Sequence, residues 1–556
     1  MKAERPRGHT PQRNHHLHGL RAVARRRCSI VTAAVAALTL AVAGLQPLPA
    51  SAGLLPTTKV ILTGTGIPAE TLLVNGLGGQ VVSNLTLING IVAVVPSVTL
   101  AVLGATPGLV VTPDVPVSVA SMASDPGGNR PPAAVFPQTT GADKLAANGI
   151  TGQGVRVAVL DTGIDNLADF AGRLVDGVDL SGEGNPFQDS YGHGTFVAGL
   201  IAGNGASSGG QYVGEAPGAD LVSVKVAGSS GQTDMATVIL GLGWVVAHQS
   251  SDHIGVVNMS LGAQPFTSTV LNPLDMAVEA AWRSGVAVVT SAGNAGPFNG
   301  TILSPGDDPL VITVGALDDH GTPPAADDAM TAFSSIGPTN PDGWFKPDLV
   351  ASGRSVVSLR VPGSTIDQNY PSARIGASNF VGSGTSFSAA ITSGAAALVL
   401  QDPTVFGQPD ALKARLLGGV TAGPVGNPFV DGHGSLNAYW AAMASNVSLN
   451  QTTPTLATQV GTSVSLATTW TGSTWNGSTW NGSTWNGSTW NGSTWNGSTW
   501  TGSTWNGSTW NGSTWNGATW NGVSWNGVSW NGVSWNGVSW NGSTWNGSTW
   551  NGSTWN

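Results

Sequence analysis

Val157-Ala158-Val159-Leu160-Asp161-Thr162-Gly163 is an unbroken apolar run that ends on a carboxylate and a turn. Without polar alternation, such a run suits a strand buried on both faces, as in a parallel sheet flanked by helices. Starting with Val155–Leu160, the signature recurs at Leu221–Val226, Gly255–Met259, Val286–Thr290 and Leu310–Val314. Longer Ala-rich, helix-compatible segments are interspersed with these runs: Phe196–Ala202, Met235–Gln249, Leu274–Ser284 and Ser386–Leu400. The alternation predicts an α/β fold, doubly wound, whose mostly parallel sheet carries helices on both faces. In such sheets reactive groups gather beyond the carboxyl ends of strands. Asp161 follows one strand directly, and Asn294 closely follows another.

Two further reactive residues sit in short Gly-flanked patterns, His193 in Gly192-His193-Gly194-Thr195 and Ser386 in Gly384-Thr385-Ser386. Singly, each pattern reads as an ordinary turn, loop or helix cap. Together they supply a complete chemistry. A serine hydroxyl attacks well only when a base takes its proton. Imidazole can accept and return that proton near neutral pH. A carboxylate can orient the ring and stabilise the imidazolium that forms.

The pattern extends through Val157-Ala-Val-Leu-Asp161-Thr-Gly-Ile-Asp165, Gly192-His193-Gly-Thr-Phe-Val-Ala-Gly199, Asn258-Met-Ser-Leu-Gly262, Ser291-Ala-Gly-Asn294-Ala-Gly296 and Gly384-Thr-Ser386-Phe-Ser-Ala-Ala390. On these stretches, residues 136–445 resemble the subtilisin-like serine protease family. The resemblance implies a secreted serine endopeptidase with Asp161, His193 and Ser386 as catalytic residues. It makes the Asn294 amide an oxyanion donor, and Ser260-Leu261-Gly262 the edge segment that binds an extended peptide substrate. Three positions depart from the family pattern: Ala390 and Ser352 stand where Pro is frequent, and Phe196 replaces a second His. None removes a catalytic group. Gly306, near the expected wall of the first subsite, predicts a roomy pocket.

The resemblance implies no cofactor or metal in catalysis, while leaving room for structural calcium. Asp165, Asp169, Asp307 and Asp308 are candidate ligands, but they lack a regular oxygen-ligand spacing and read more plainly as solvated surface. No Cys/His cluster suggests zinc.

The ends of the chain differ in composition from its middle. Residues 1–52 combine a basic stretch closing at Arg25-Arg26-Arg27, an apolar run from Ile30 to Leu45 and the small-x-small site Ala50-Ser51-Ala52. That is the pattern of an export signal, with an apolar run short for a membrane span. Cys28, the only cysteine, lies inside it, so the exported protein would carry no disulfide. Removing the eight Lys/Arg and one Glu of this segment turns a net charge of −9 into −16, which disfavours nucleic acid as a partner. Residues 53–124 are Val/Leu/Ile-rich, with strands expected at Lys59–Leu62 and Gly108–Thr112 and a hairpin at Asn89-Gly90. Given the family, they would form a small α+β prodomain that inhibits the enzyme, with 125–135 as a linker and processing region. Self-cleavage is expected between Val117 and Val135.

After a linker at 446–469, residues 470–556 form a low-complexity tail that repeats mostly Trp-Asn-Gly-Ser-Thr, with Trp at every fifth position from Trp470 to Trp555. Five residues advance an α-helix by about 140°, so these Trp make no helical stripe, and an odd period alternates faces in one flat strand. A turn-based stacked solenoid or a disordered array remains. Stacked indoles suit contact with cell-wall polysaccharide or other glycan, retention at the cell surface, or self-association. The alternative to a peptidase is a surface-binding or assembly protein acting mainly through this tail.

Overall fold

The computed structural model describes residues 56–119 and 134–444, and beyond them the backbone of short strands between 469 and 555. The expected export signal, most of the processing region and the 446–469 linker up to residue 468 lie outside the described residues. Two compact units divide the chain.

The smaller unit takes in the residues up to Asn84 and Asn89–Pro113. Its four strands run in the order Gln80–Leu85, Gly90–Pro96, Thr57–Thr63 and Val110–Pro113. Thr57–Thr63 is antiparallel to both of its neighbours. Helices Ile67–Gly76 and Leu100–Gly104 complete an α+β unit. Val60, Leu62, Val74, Ile91, Ala93, Val95, Leu103 and Leu109 make one apolar core. Asn89, at the expected hairpin, has a positive φ of 52°, which Asn tolerates better than most residues.

The larger unit is built on an eight-stranded sheet. Across it the order is Ala329–Met330, Ile312–Asp318, Ala287–Ser291, Ile254–Met259, Arg156–Asp161, Asp220–Lys225 and Leu174–Asp179, with Leu349–Ser352 also paired to Ile312–Asp318. Only Ala329–Met330 pairs antiparallel; the other pairs are parallel. The five expected strands are all present, and four of them end within a residue of the expected point. Ile312–Asp318 runs four residues past the expected Val314.

Construction starts mid-sheet with Arg156–Asp161 and proceeds to Leu174–Asp179 on one side. It then returns to lay Ile254–Met259 on the other side. The reversal of strand order beside Arg156–Asp161 opens a crevice at the carboxyl ends. Two helix pairs flank the sheet, Met235–Asp252 with Pro273–Arg283 and His193–Ala202 with Thr385–Leu400. Every residue of Thr385–Leu400 is buried, which its Ala, Ser and Gly content permits through close packing. Among the described residues no helix is long and apolar enough to cross a membrane.

In the repeat, three-residue strands pair in parallel with the strand four repeats later, so Trp470, Trp490, Trp510, Trp530 and Trp550 share one register. Four such stacks hold five, five, four and four strands.

Candidate active site

Three adjacent strands end at the crevice, and each delivers one of the expected residues. Asp161 closes Arg156–Asp161, Ser260 follows Ile254–Met259, and Asn294 comes three residues after Ala287–Ser291. His193 and Ser386 arrive from the starts of the two packed helices.

His193 Nδ1 lies 2.8 and 2.9 Å from the two Asp161 carboxylate oxygens, with both side chains fully buried. Thr162 N–H donates to Asp161 Oδ1 at 2.8 Å. His193 Nε2 is buried and has no hydrogen-bond partner among the described residues. The flanking glycines are required by contact. Gly192 has φ 101°, and a Cβ there would stand 2.5 Å from Ser364 Oγ. A Cβ on Gly194 would stand 2.2 Å from the Gly163 carbonyl oxygen, closer than any real contact.

Asp189 organises this corner. Its Oδ1 accepts from Gly192 N–H and Thr162 Oγ1, each at 2.7 Å, and its Oδ2 accepts from Thr195 N–H at 2.8 Å. One carboxylate thus satisfies free N–H groups at the start of the His193 helix and ties that start to the turn after Asp161. Burial pushes its pKa up, against the pull of these hydrogen bonds.

Ser386 is the second residue of its helix, where backbone N–H groups lack intrahelical acceptors. Its Oγ donates to the Ser260 carbonyl at 3.3 Å, and Ser260 Oγ donates to the Ser386 carbonyl at 2.9 Å. Asn258 Nδ2 in turn donates to Ser260 Oγ at 2.9 Å. The Phe387 ring packs 5.9 Å from the His193 ring and 4.4 Å from Phe196. Asn294 Oδ1 accepts from both the N–H and the hydroxyl of Thr385 at 2.9 Å. These two bonds orient the amide, with Oδ1 toward Thr385 and Nδ2 as its donor end.

Leu261–Gly262 is itself paired, antiparallel to Pro116–Val119, with Leu261 opposite Val119 and Gly262 opposite Ser118. Gln232–Asp234 flanks Pro116–Val119 on its other side, also antiparallel. Val117 and Val119 are buried in this three-stranded arrangement.

Residues 152–434 match the model of the subtilase family. The chain belongs to that family. It is 41% identical over 305 residues to serine protease AprX of Bacillus subtilis, a match covering 53% of this chain and 68% of the relative. Subtilisin E of the same organism is 32% identical over 301 residues, covering 54% and 69%. The fold is similar to the crystal structure of fervidolysin from Fervidobacterium pennivorans, with a TM-score of 0.54 and 22% identity. That match covers 72% of this chain and 62%, under two thirds, of the other. The chain is a subtilisin-like serine endopeptidase, a hydrolase whose substrates are peptides or proteins.

In this subtilase the three departures find ordinary places. Phe196 packs against Phe387 with the rings tilted by 39°, Ser352 offers its carbonyl to Ser388 Oγ at 3.2 Å, and Ala390 lies buried inside an unbroken helix. The structure brings Asp161 to His193 and Ser260 to Ser386, and it ties Asn294 to Thr385. Ser386 Oγ and His193 Nε2 are not hydrogen-bonded to each other. Sequence reading missed Asp189 and Thr385, although both lie inside or beside the quoted motifs. Their partners are 27 and 91 residues away, at Thr162 and Asn294.

The four acids considered for calcium are not solvated surface. Asp169, Asp307 and Asp308 are buried, and Asp165 Oδ1 accepts from Asp189 N–H at 2.7 Å. Asp307 and Asp308 sit with buried Asp275. Desolvation and neighbouring carboxylates push Asp307 up to about 8 and Asp308 up to about 7. Among the described residues, no group of three or more His, Cys, Asp or Glu is arranged to hold a metal ion.

Proposed function

We propose that the chain is an exported, self-processing endopeptidase using Asp161, His193 and Ser386, with Asn294 as oxyanion donor. The observation that carries this reading is the Asp161–His193 contact. A carboxylate on Nδ1 makes that nitrogen the proton-bearing one and leaves Nε2 as the ring's acceptor, beside the start of the helix that holds Ser386.

Ser386 Oγ attacks the scissile carbonyl carbon while its proton passes to His193 Nε2. The oxyanion takes hydrogen bonds from Asn294 Nδ2 and the Ser386 N–H. His193 then gives its proton to the departing amine, leaving an acyl-enzyme. Water, deprotonated by the same imidazole, attacks the acyl carbon and releases the acid. Apo geometry in which the Ser–His bond is not yet closed is compatible with this sequence of steps.

Self-processing is supported by the seating of Pro116–Val119. It occupies the strand position expected of an extended substrate on Leu261–Gly262. The register descends from Gly262 to Leu261 along the chain, which runs toward Ser260 and the active site. The cut would then fall beyond Val119, inside the expected interval of Val117 to Val135, and residues 53–124 would make up the inhibitory prodomain. Export rests on the basic and apolar pattern of residues 1–52.

Ser386→Ala tests both halves of the proposal. In subtilisin, losing this serine costs about 10⁶ in kcat. The variant should therefore lose casein cleavage and fluorophosphonate labelling and retain the precursor length. Wild type should yield a fragment whose N-terminus lies between Ala120 and Val135. A Ser386→Ala protein that, purified alone, still trims itself would remove the self-processing reading.

A further inference from the structure

We propose that Thr365 is a positioning residue for extended substrates, tying the turn that leads into Gln232–Asp234 to the loop that carries His193. The proposal rests on the endopeptidase reading and deepens it.

Thr365 belongs to an excursion between the paired strands Val356–Leu359 and Asn379–Gly382. The excursion is folded around Asp367, which is buried. Its carboxylate accepts from Arg360, from Arg374 Nε at 2.7 Å and from Gly363 N–H at 2.9 Å. Two guanidinium groups on one carboxylate make a firm base, since charge-assisted hydrogen bonds are the strong ones. From that base Thr365 reaches two loops at once. Its N–H donates to the Ser190 carbonyl at 3.0 Å, and its Oγ1 donates to the Ser229 carbonyl at 2.8 Å. Ile366 N–H adds a bond to the Tyr191 carbonyl at 3.0 Å.

Both loops matter to the site. Ser190 and Tyr191 stand three and two residues before His193, and Ser229 stands three before Gln232. Glu183 grips the same two serines from another side. Its Oε1 accepts from Ser229 N–H at 2.8 Å, and its Oε2 accepts from Ser190 Oγ at 2.6 Å while pairing with buried Lys225 Nζ at 2.8 Å. The turn needs such ties. Ser229 and Ser230 are exposed, and Gly231 takes a φ of 67°, which leaves little else to fix it. A Cβ on Gly231 would stand 2.7 Å from the Tyr191 ring.

What the turn delivers is one edge of the groove. The Gly231 carbonyl accepts from Val119 N–H at 3.1 Å. Beyond it, Gln232, Thr233 and Asp234 face Ser118, Val117 and Pro116. With the cut beyond Val119, Ser118 lies at least two residues ahead of the reacting bond. A peptide long enough to reach that place meets the edge that Thr365 ties down; a one-residue substrate does not. Strand hydrogen bonds form when the substrate binds and persist through the reaction, so a displaced edge raises KM more than it lowers kcat.

The test uses the purified full chain and two substrates that share the residue before the cut. One is a tetrapeptide anilide, Pro-Val-Ser-X, and the other a one-residue ester of X, with X the residue that gives wild type its highest kcat/KM. Thr365→Val should lower the anilide-to-ester ratio of kcat/KM about fivefold, the worth of one hydrogen bond, and should do so through KM. Thr365→Ala should lower it equally, and Thr365→Ser, which keeps the hydroxyl, should restore it. Fluorophosphonate labelling verifies that each variant retains a folded site. An unchanged ratio in labelled variants, a fall carried by kcat or a failure of Ser to rescue would overturn the proposal. So would loss of labelling in both Val and Ala variants, which would make Thr365 a structural residue. Anilide cleavage that persists in Ser386→Ala would instead overturn the endopeptidase reading beneath it.

Discussion

Asn294 does not orient itself. Its carbonyl oxygen is held by the N–H and hydroxyl of Thr385, and that hydroxyl also accepts from Gly293 N–H. The residue next to the nucleophile thus aims the amide proposed to stabilise the oxyanion. Asn294→Ala should lower kcat by about 10²–10³ with KM little changed, since the donor acts mainly in the transition state. Thr385→Val keeps the backbone donor but loses the hydroxyl, so its fall in kcat should be smaller, and Thr385→Ser should restore activity. Steady-state kinetics on one anilide substrate checks all three. A Thr385→Val effect confined to KM, or one that Ser fails to rescue, would remove the positioning role.

At the scale of elements, the start of the His193 helix depends on a residue outside the helix. His193–Ala202 has no side-chain hydrogen bond from its own N-cap residue, Gly192. Asp189 does that work from the preceding loop while also gripping Thr162. Asp189→Asn would turn an amide N–H toward donors and leave at least one buried group unpaired. The expected cost is about 2 kcal/mol or more, read as a lower urea midpoint in the Ser386→Ala background, where self-digestion is absent. Activity in the otherwise wild-type protein should fall with it, because the same contacts seat His193. Element legibility followed the same division. Strands buried on both faces announced themselves as apolar runs, whereas Leu174–Asp179, a half-exposed edge strand carrying two Asp, gave no such signal.

Across the whole molecule, the buried acids set a pH dependence of stability. Asp307 and Asp308 are raised from an ordinary 3.8 to about 8 and about 7, so the folded state holds protons that the unfolded chain releases. Their stabilising contribution is complete below about pH 4 and is lost as pH rises toward those values. Each proton so held gives a slope of at most about 1.4 kcal/mol per pH unit. Buried Lys346, lowered to about 8 chiefly by desolvation, works in the opposite direction only above that pH. Between pH 5 and 7 the urea midpoint of Ser386→Ala should therefore fall, and adding Asp307→Asn should flatten the fall. A midpoint that rises over this range, or a slope untouched by Asp307→Asn, would contradict the account.

The linear chain determined the α/β class, five strands of the central sheet, the five-residue tail period and the turns that carry Asp161, His193, Asn294 and Ser386. These are local properties, written in apolar runs and in short Gly-flanked motifs. Tertiary structure alone decided that Thr385 holds Asn294, that Asp189 reaches Thr162, and that Asp275, Asp307 and Asp308 share one buried space. Such pairings depend on strand order and register, which bring together side chains tens of residues apart. An acid read as surface reverses its meaning once a distant segment packs against it.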